Sequence, residues 1–368
     1  MSALLFAFNH NQALQQSKPN YTYFCQKVKS LKNYISNLRN LATFAVIVLH
    51  VTAPFVLKFN KITFASWQLA NLIDSMLRFG VPVFVMISGA VLLDRSEPLN
   101  IFLSKRLKRI FLPFLFWSIV YFIFTYVGHF QKFSVAQLAQ ILTDKLLKGT
   151  YYHLWYIYMI LGVYLFVPIV RKWVQNSTRQ ELHYFLILWA ITLFINTDIA
   201  KYIPSIEVLY FSKYIGYLIL GHYLDKYIEI DRSKLALYLI LFSLGATLTI
   251  VSTSYLSITE NKLNITYYNY LSPNVCLMAI GIFLLGKSSL QQTHSVLINL
   301  DRHSYGIYLV HVLILHYVYR IILPFKFNTS SPFSLFVFII SISLITYIFS
   351  YALIRILAAN KKIQPLVT

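Results

Sequence analysis

The chain has 368 residues, of which 58% are hydrophobic and only 12% are charged, and its mean hydropathy is +0.62. A soluble domain carries about 25% charged residues, so the composition excludes an ordinary soluble protein. The net charge of +20 does not indicate nucleic-acid binding, because the basic residues punctuate apolar runs as topology signals and contacts for anionic lipid. We therefore expect the lipid bilayer as a partner and no nucleic acid.

Apolar runs long enough to cross a bilayer recur from end to end, and each predicts a transmembrane helix. The predicted fold class is all-α, a polytopic membrane protein with a bundle of about ten transmembrane helices. An even number of spans places both termini on one side, and the segments on that side hold most of the Lys and Arg, which predicts cytoplasmic termini. The predicted spans are residues 38–58, 69–93, 107–128, 152–170, 182–198, 206–224, 234–252, 268–287, 303–323 and 332–356.

The spans divide the chain into three parts. Residues 1–37 form a basic segment with aromatic residues, typical of an amphipathic helix on the cytoplasmic membrane surface, 38–357 form the membrane domain, and 358–368 form a short cytoplasmic tail. The two cysteines, Cys25 and Cys276, have no metal-ligand spacing, so the sequence predicts no metal site.

The first span contains His50 deep in an apolar run, with Arg39 eleven positions earlier. Eleven residues make three helical turns to within about 20°, so both side chains are expected on one face, about 16 Å apart along the axis. An ionisable side chain at that depth usually faces a bundle interior or a wet cavity. Two interpretations stay open here, a functional pair or a histidine bonded to a neighbouring helix as structural glue.

The second span contains Asp74 and Arg78, whose spacing of four residues permits an ion pair within one helix. Such a pair lowers the cost of placing both charges in the membrane, and it serves a structural or a catalytic role equally well. The following stretch from Phe79 to Gly89 contains small residues and a proline, which indicate close helix packing or a kink.

The third span begins at a dense basic cluster, Lys105-Arg106-Leu107-Lys108-Arg109. Ordinary anchoring of a cytoplasmic loop explains such a cluster without any ligand. However, Arg106 and Arg109 are three residues apart and project from one helical face, and Arg suits bidentate recognition of phosphate. A phosphorylated cytoplasmic donor is therefore a reasonable ligand.

The fourth span opens with aromatic residues around His153 and Trp155, which an interfacial aromatic belt explains without any function. A polar or sugar-containing acceptor that enters from outside is the functional interpretation. In the ninth span His311 follows Tyr308, and it lies about 12 Å into the membrane if the helix begins near residue 303. Two histidines at similar depth, His50 and His311, favour a functional site.

Taken together, these motifs resemble the acyltransferase-3 family of integral membrane acyltransferases. The His153-Leu154-Trp155-Tyr156 element is similar to the branch that includes the enterobacterial common antigen O-acetyltransferase. The matching motifs are Arg39 with His50, the Phe79-to-Gly89 stretch, Lys105-Arg106-Leu107-Lys108-Arg109-Ile110 with Pro113, and Tyr305-Gly306-Ile307-Tyr308-Leu309-Val310-His311.

The resemblance implies a bacterial inner-membrane bundle that moves an acyl group, usually acetyl, from cytoplasmic acyl-CoA to a carbohydrate hydroxyl on the outer side. Acyl-CoA is then a co-substrate, and no permanently bound cofactor or metal is expected. His50 matches the family's essential histidine and Arg39 its partner. The family's Arg-x-Arg element falls on Arg106 and Lys108, so either Lys108 or Arg109 takes the second position. The candidates for contacting the acceptor or supporting His50 are Asp74, Arg78, His153, Trp155, Tyr308 and His311.

A transporter or flippase is the alternative interpretation of the sequence. In that case the intramembrane His, Arg and Asp residues form a path for protons or substrate. A structural scaffold is the third, and it predicts that changing His50 affects only stability.

Overall fold

The computed structural model describes the backbone of residues 18–195, 209–322, 328 and 330–368. Side chains are described from residue 33 onward within those ranges, except at 107, 195 and 209–212. Every regular element in the described ranges is helical, and none is a strand. The predicted all-α class is therefore confirmed.

Thirteen α-helices make up the described part of the chain. Short 3-10 turns precede or follow several of them, and the turn at Tyr152–Leu154 contributes to the site described below. The helices are α1 (Lys18–Val56), α2 (Phe64–Leu77), α3 (Gly80–Leu92), α4 (Leu99–Tyr126), α5 (Val135–Lys148), α6 (Trp155–Asn176), α7 (Arg179–Ile195), α8 (Leu209–Tyr227), α9 (Leu235–Thr259), α10 (Pro273–Ser289), α11 (Ser295–Ile322), α12 (Pro332–Ala358) and α13 (Gln364–Val367).

Eight helical segments among the described residues are long and apolar enough to cross a membrane. They confirm a polytopic membrane protein. The predicted spans 182–198 and 206–224 fall on α7 and α8, and residues 196–208 lie outside the described part of the chain. The predicted span 69–93 is divided into α2 and α3 at Arg78 and Phe79.

Helix α1 is continuous across the predicted boundary at residue 37. Tyr34 and Asn37 are buried, and the Asn37 amide donates hydrogen bonds to the carbonyl oxygens of Leu290 (3.0 Å) and Gln292 (2.8 Å). The boundary therefore falls inside a helix that is already packed into the bundle.

Helices α1 and α11 lie side by side and run in the same direction. The Arg39 guanidinium contacts Asp301 near one end of the pair, and the His50 and His311 rings meet further along. Beyond them, the Tyr319 hydroxyl donates to the carbonyl of Val51 at 3.1 Å. The residue numbers at these contacts increase in the same direction along both helices, which is possible only if the two neighbouring helices are parallel.

Glycines bring the backbones of α3 and α8 together. A Cβ atom at Gly89 would overlap the carbonyl of Leu218, and a Cβ atom at Gly221 would overlap the backbone of Met86. Small residues at such crossings let two membrane helices approach closely.

This close packing predicts the outcome of a matched pair of substitutions. Gly89→Ala should destabilise the protein by about 1–3 kcal/mol, the usual cost of overpacking a tight contact. Gly162→Ala is the control, because nothing lies within 4 Å of the Cβ it would add. Thermal unfolding in detergent compares the two variants. Equal melting temperatures would show that α3 and α8 are not in backbone contact.

Candidate active site

Three imidazole rings form a cluster inside the bundle, and we call them the histidine cluster: His50, His153 and His311. The ring centroids of His50 and His311 are 5.0 Å apart, those of His153 and His311 are 5.2 Å apart, and those of His50 and His153 are 6.3 Å apart. His153 and His311 are buried, whereas His50 is half-buried. The sequence predicts His153 at the outer interface, and the structure brings it to His50.

The hydrogen bonds of His153 and His311 fix which ring nitrogen carries the proton. Nδ1 of His311 lies 2.6 Å from the carbonyl oxygen of Tyr308, and Nε2 of His153 lies 3.3 Å from that of Leu309. A carbonyl only accepts hydrogen bonds, so each of these nitrogens is the N–H donor when its ring is neutral. The opposite nitrogens then carry lone pairs, and both are buried without a hydrogen-bond partner among the described residues.

His50 is therefore placed beside two unused hydrogen-bond acceptors. No hydrogen bond to its own ring is present within the described residues, so either nitrogen is available. A neutral His50 that donates its N–H to one neighbour keeps the other nitrogen free to take a proton or attack a carbonyl carbon. Among the described residues, no group of three or more His, Cys, Asp or Glu side chains is arranged to hold a metal ion.

Arg39 is held by a carboxylate that sequence reasoning missed. Its Nη1 atom lies 2.5 Å from Oδ1 of Asp301, and the hydroxyl of Ser36 donates to Oδ2 of Asp301 at 2.7 Å. One signal could have found Asp301: it precedes His311 by ten residues, nearly the spacing that separates Arg39 from His50.

A cavity of about 360 Å³, here called the arginine cavity, opens beside this ion pair. Among the described residues that line it are five arginines and one side-chain carboxylate, that of Asp301, so the cavity favours an anionic ligand. Aromatic, aliphatic and hydroxyl-bearing side chains line the rest. The lining residues are Arg39, Phe84, Ser88, Val91, Leu92, Arg95, Arg106, Arg109, Ile110, Tyr156, Ile160, Tyr164, Asp301, Arg302, Ser304, Tyr305, Tyr308 and Thr368.

Tyr308 connects the arginine cavity with the histidine cluster. It lines the cavity, and its ring centroid lies 5.7 Å from that of His311 and 5.8 Å from that of His153. Its hydroxyl donates a hydrogen bond to the carbonyl of His153. A ligand in the cavity is thus separated from the histidines by one aromatic side chain.

The basic cluster divides between the cavity and its surroundings. Arg106 and Arg109 line the cavity, whereas Lys108 is exposed and does not line it. Lys105 donates to Glu97 at 2.9 Å, and this hydrogen bond is the main reason why the pKa of Glu97 is lowered. Glu97 also lies 4.0 Å from Arg106, so a carboxylate outside the cavity wall helps to hold that arginine.

Asp74 and Arg78 form the ion pair that their spacing permits, and they belong to a second group of side chains. The Arg78 guanidinium lies 4.0 Å from the ring centroid of Tyr268, a cation–π contact. Trp155, which is 40% exposed, stacks on Tyr270 at 5.8 Å. Arg78 also lies 5.9 Å from the Tyr270 ring, so Tyr270 links the ion pair with the exposed indole.

Comparisons with known proteins give one family and one kind of relative. Residues 32–355 match the family model described as "Acyltransferase domain". The chain is 24% identical over 318 residues to a "Probable poly-beta-1,6-N-acetyl-D-glucosamine export protein" of Staphylococcus epidermidis, and the match covers 82% of this chain and 86% of the relative. The counterpart from strain RP62A gives the same values. No solved structure matches the chain.

The contact between Arg39 and Asp301 predicts a measurable coupling free energy between the two residues in protein stability. Asp301→Ala leaves a partly buried guanidinium and a hydroxyl without their acceptor, which should cost about 1–3 kcal/mol of stability. A double-mutant cycle with Arg39→Ala should give a coupling of about 0.5–3 kcal/mol in thermal unfolding. The control pair is Asp144 and Lys148, which is 3.9 Å apart with both side chains more than half exposed, and its coupling should be much smaller. Equal coupling in the two cycles would contradict a structural role for the first pair.

Proposed function

We propose that this chain, which belongs to the acyltransferase-3 family, is a membrane O-acyltransferase. Its donor in this proposal is acyl-CoA, most simply acetyl-CoA. The acceptor in this proposal is a hydroxyl group of a cell-surface or lipid-linked carbohydrate. One observation carries the proposal: a cavity lined by five arginines ends at Tyr308, whose ring contacts the histidine cluster. An anionic donor and a buried base are what acyl transfer from CoA needs.

The donor enters, in this proposal, at the arginine end of the bundle, which faces the cytoplasm. The phosphates of CoA are bound by Arg106 and Arg109, because a guanidinium forms paired hydrogen bonds with phosphate. Arg109, which lines the cavity, rather than Lys108, which does not, then takes the second position of the family's Arg-x-Arg element. The pantetheine arm extends toward Tyr308, which brings the thioester to the histidine cluster.

His50 supplies the base in the reaction. Its free nitrogen takes the proton of the acceptor hydroxyl, and the hydroxyl oxygen forms a bond with the thioester carbonyl carbon as the carbon–sulfur bond breaks. The proton then passes to the departing CoA thiolate, which leaves an ester and a free thiol. Attack on the thioester by His50 itself, followed by transfer of the acyl group from the acyl-histidine to the acceptor, gives the same products. A burst of thiol release in the absence of acceptor would indicate the acyl-histidine route, because direct transfer releases thiol only when the acceptor is present.

Arg39 serves the donor in this scheme rather than the reacting carbonyl. It lies about 16 Å from His50 along α1, too far to contact the same oxygen atom. Its position in the arginine cavity, held by Asp301, suits it for orienting the donor.

The acceptor approaches from the opposite, outer side. Tyr152, which is 59% exposed and 5.3 Å from the His50 ring, and Trp155 offer aromatic faces for sugar rings. Asp74 and Arg78 add polar groups near Tyr270. The name of the staphylococcal relative concerns a polymer of N-acetylglucosamine, so a polysaccharide of amino sugars is our first choice of acceptor. Location in a bacterial inner membrane, cytoplasmic termini and the enterobacterial common antigen branch stay predictions.

Export of a polysaccharide is the second candidate function, because the relative is named as an export protein. The intramembrane ionisable residues would then form a path instead of a catalytic group. Release of free thiol from acetyl-CoA distinguishes the two functions, since an exporter consumes no thioester.

Substitution of His50 tests the catalytic assignment. His50→Ala should lower the rate of thiol release from acetyl-CoA by about 10²–10⁴-fold, the usual contribution of a general base. His316→Ala is the control, because His316 lies on α11 outside the cluster and contacts Phe124 and Tyr317. Near-normal turnover by a folded His50→Ala protein would rule out the assignment.

A reciprocal exchange tests the donor site. Arg109→Lys replaces a planar fork by a point charge and should raise the KM for acetyl-CoA about tenfold, equivalent to part of a charge-assisted hydrogen bond of about 1.5–3 kcal/mol. Lys108→Arg should leave the KM unchanged, because that side chain does not line the cavity. If only the change at Lys108 affects the KM, the phosphates bind outside the cavity.

A further inference from the structure

A second cavity of about 400 Å³, here called the polar cavity, adjoins the arginine cavity. Arg109, Arg302 and Thr368 line both cavities, so the two spaces meet at these residues. Arg302 is adjacent in sequence to Asp301, and neither was singled out from the sequence. The polar cavity is lined by Arg109, Asn299, Arg302, His303, Gln364 and Thr368.

The two cavities differ in character. Phe84, Tyr156 and Ile160 give the arginine cavity an aromatic and apolar inner part, whereas every residue that lines the polar cavity has a polar side chain. The pantetheine arm and acyl group of CoA suit the inner part of the first space, and its diphosphate suits the arginines where the two cavities meet. The ribose, base and 3′-phosphate of CoA suit the second space.

The charge at the junction is available for a ligand. Within the described part of the chain, Arg109 and Arg302 form no ion pair with a carboxylate. The nearby Asp301 is already engaged by Arg39 and by the hydroxyl of Ser36. Two guanidinium groups that face a shared opening without an ion-paired side-chain carboxylate attract phosphate.

The wall of the polar cavity also carries hydrogen-bonding groups that match a purine. Nδ1 of His303 lies 2.7 Å from the carbonyl oxygen of Asn299, so a neutral ring carries its proton there and keeps a lone pair on Nε2. The side-chain amides of Asn299 and Gln364 both donate and accept. Adenine offers an amino donor and ring-nitrogen acceptors to such groups.

We infer that the polar cavity binds the 3′-phosphorylated adenosine end of the donor and that Arg302 binds the 3′-phosphate. The diphosphate of the donor lies at Arg106 and Arg109 in the arginine cavity. The inference rests on the proposed function, because it takes CoA as the donor. Arg302 precedes Tyr308 by six residues on α11, a rise of about 9 Å. The donor then lies along α11, with its nucleotide at Arg302 and its thioester directed past Tyr308 toward His50.

The test compares two donors, acetyl-CoA and acetyl-3′-dephospho-CoA, which differ only in the 3′-phosphate. The wild-type protein should have a KM about tenfold lower for acetyl-CoA, as expected for one charge-assisted contact. Arg302→Ala should remove most of this preference by raising the KM for acetyl-CoA, with kcat unchanged for both donors. Lys361→Ala is the control of equal charge, since Lys361 is exposed and lines neither cavity. An equal rise in both KM values, or no preference in the wild type, would overturn the inference.

A comparison of vesicles distinguishes the CoA phosphate from a lipid headgroup as the ligand of Arg302. In vesicles of neutral lipid and of anionic lipid the preference for acetyl-CoA should be the same. A phenotype of Arg302→Ala that appears only with anionic lipid would instead assign Arg302 to a lipid headgroup and overturn the inference.

Equilibrium binding of CoA itself to the wild type and to Arg302→Ala is independent of turnover. Binding that depends on Arg302 without thiol release would disprove the proposed function but leave this site standing. Absence of binding would disprove the site.

Discussion

The parallel contact between α1 and α11 sets the position of every group that we assign to catalysis. Arg39 meets Asp301 at one level and His50 meets His311 at another. Eleven residues separate the two contacts on α1 and ten on α11, so the rises of about 16 and 15 Å nearly match. Slipping one helix by a turn, about 5.4 Å, would separate both pairs. Because unpaired ionisable groups are costly inside a bilayer, this penalty keeps the two helices in register.

With α1 and α11 in this register, the arginine cavity and the histidine cluster lie at two different depths in the bundle. In the proposed mechanism, the charged donor is recognised at the arginine end, where the guanidinium groups line open cavities, and the new bond is formed at the histidine cluster. Tyr308 stands between them, with its backbone carbonyl orienting His311 and its hydroxyl bonded to the backbone of His153. A single residue thus orients two imidazole-bearing segments and also lines the arginine cavity.

Spacing within one helix made part of this site predictable. The shared face of Arg39 and His50, and the pair of Asp74 and Arg78, follow from helical geometry alone. Partners on other helices do not: Asp301 becomes a partner of Arg39 only because α11 lies beside α1, and periodicity does not say which helices are neighbours. His153 looked interfacial for the same reason, since the turn that carries it is placed by contacts with α11. The break at Arg78 between α2 and α3 was indicated in the sequence only by the small residues and proline that follow, which fit a kink or close helix packing equally well.

In the proposed mechanism the donor enters at the arginine end and reacts within the bundle. Proteoliposomes with a known orientation test it most directly, with radiolabelled acetyl-CoA supplied to one face and the glycan acceptor to both. Label should reach the acceptor only when the donor is supplied to the face that carries Arg109 and Arg302, and one free thiol should be released for each acetyl group transferred. Labelling from the opposite face, or movement of glycan across the membrane without thiol release, would contradict it.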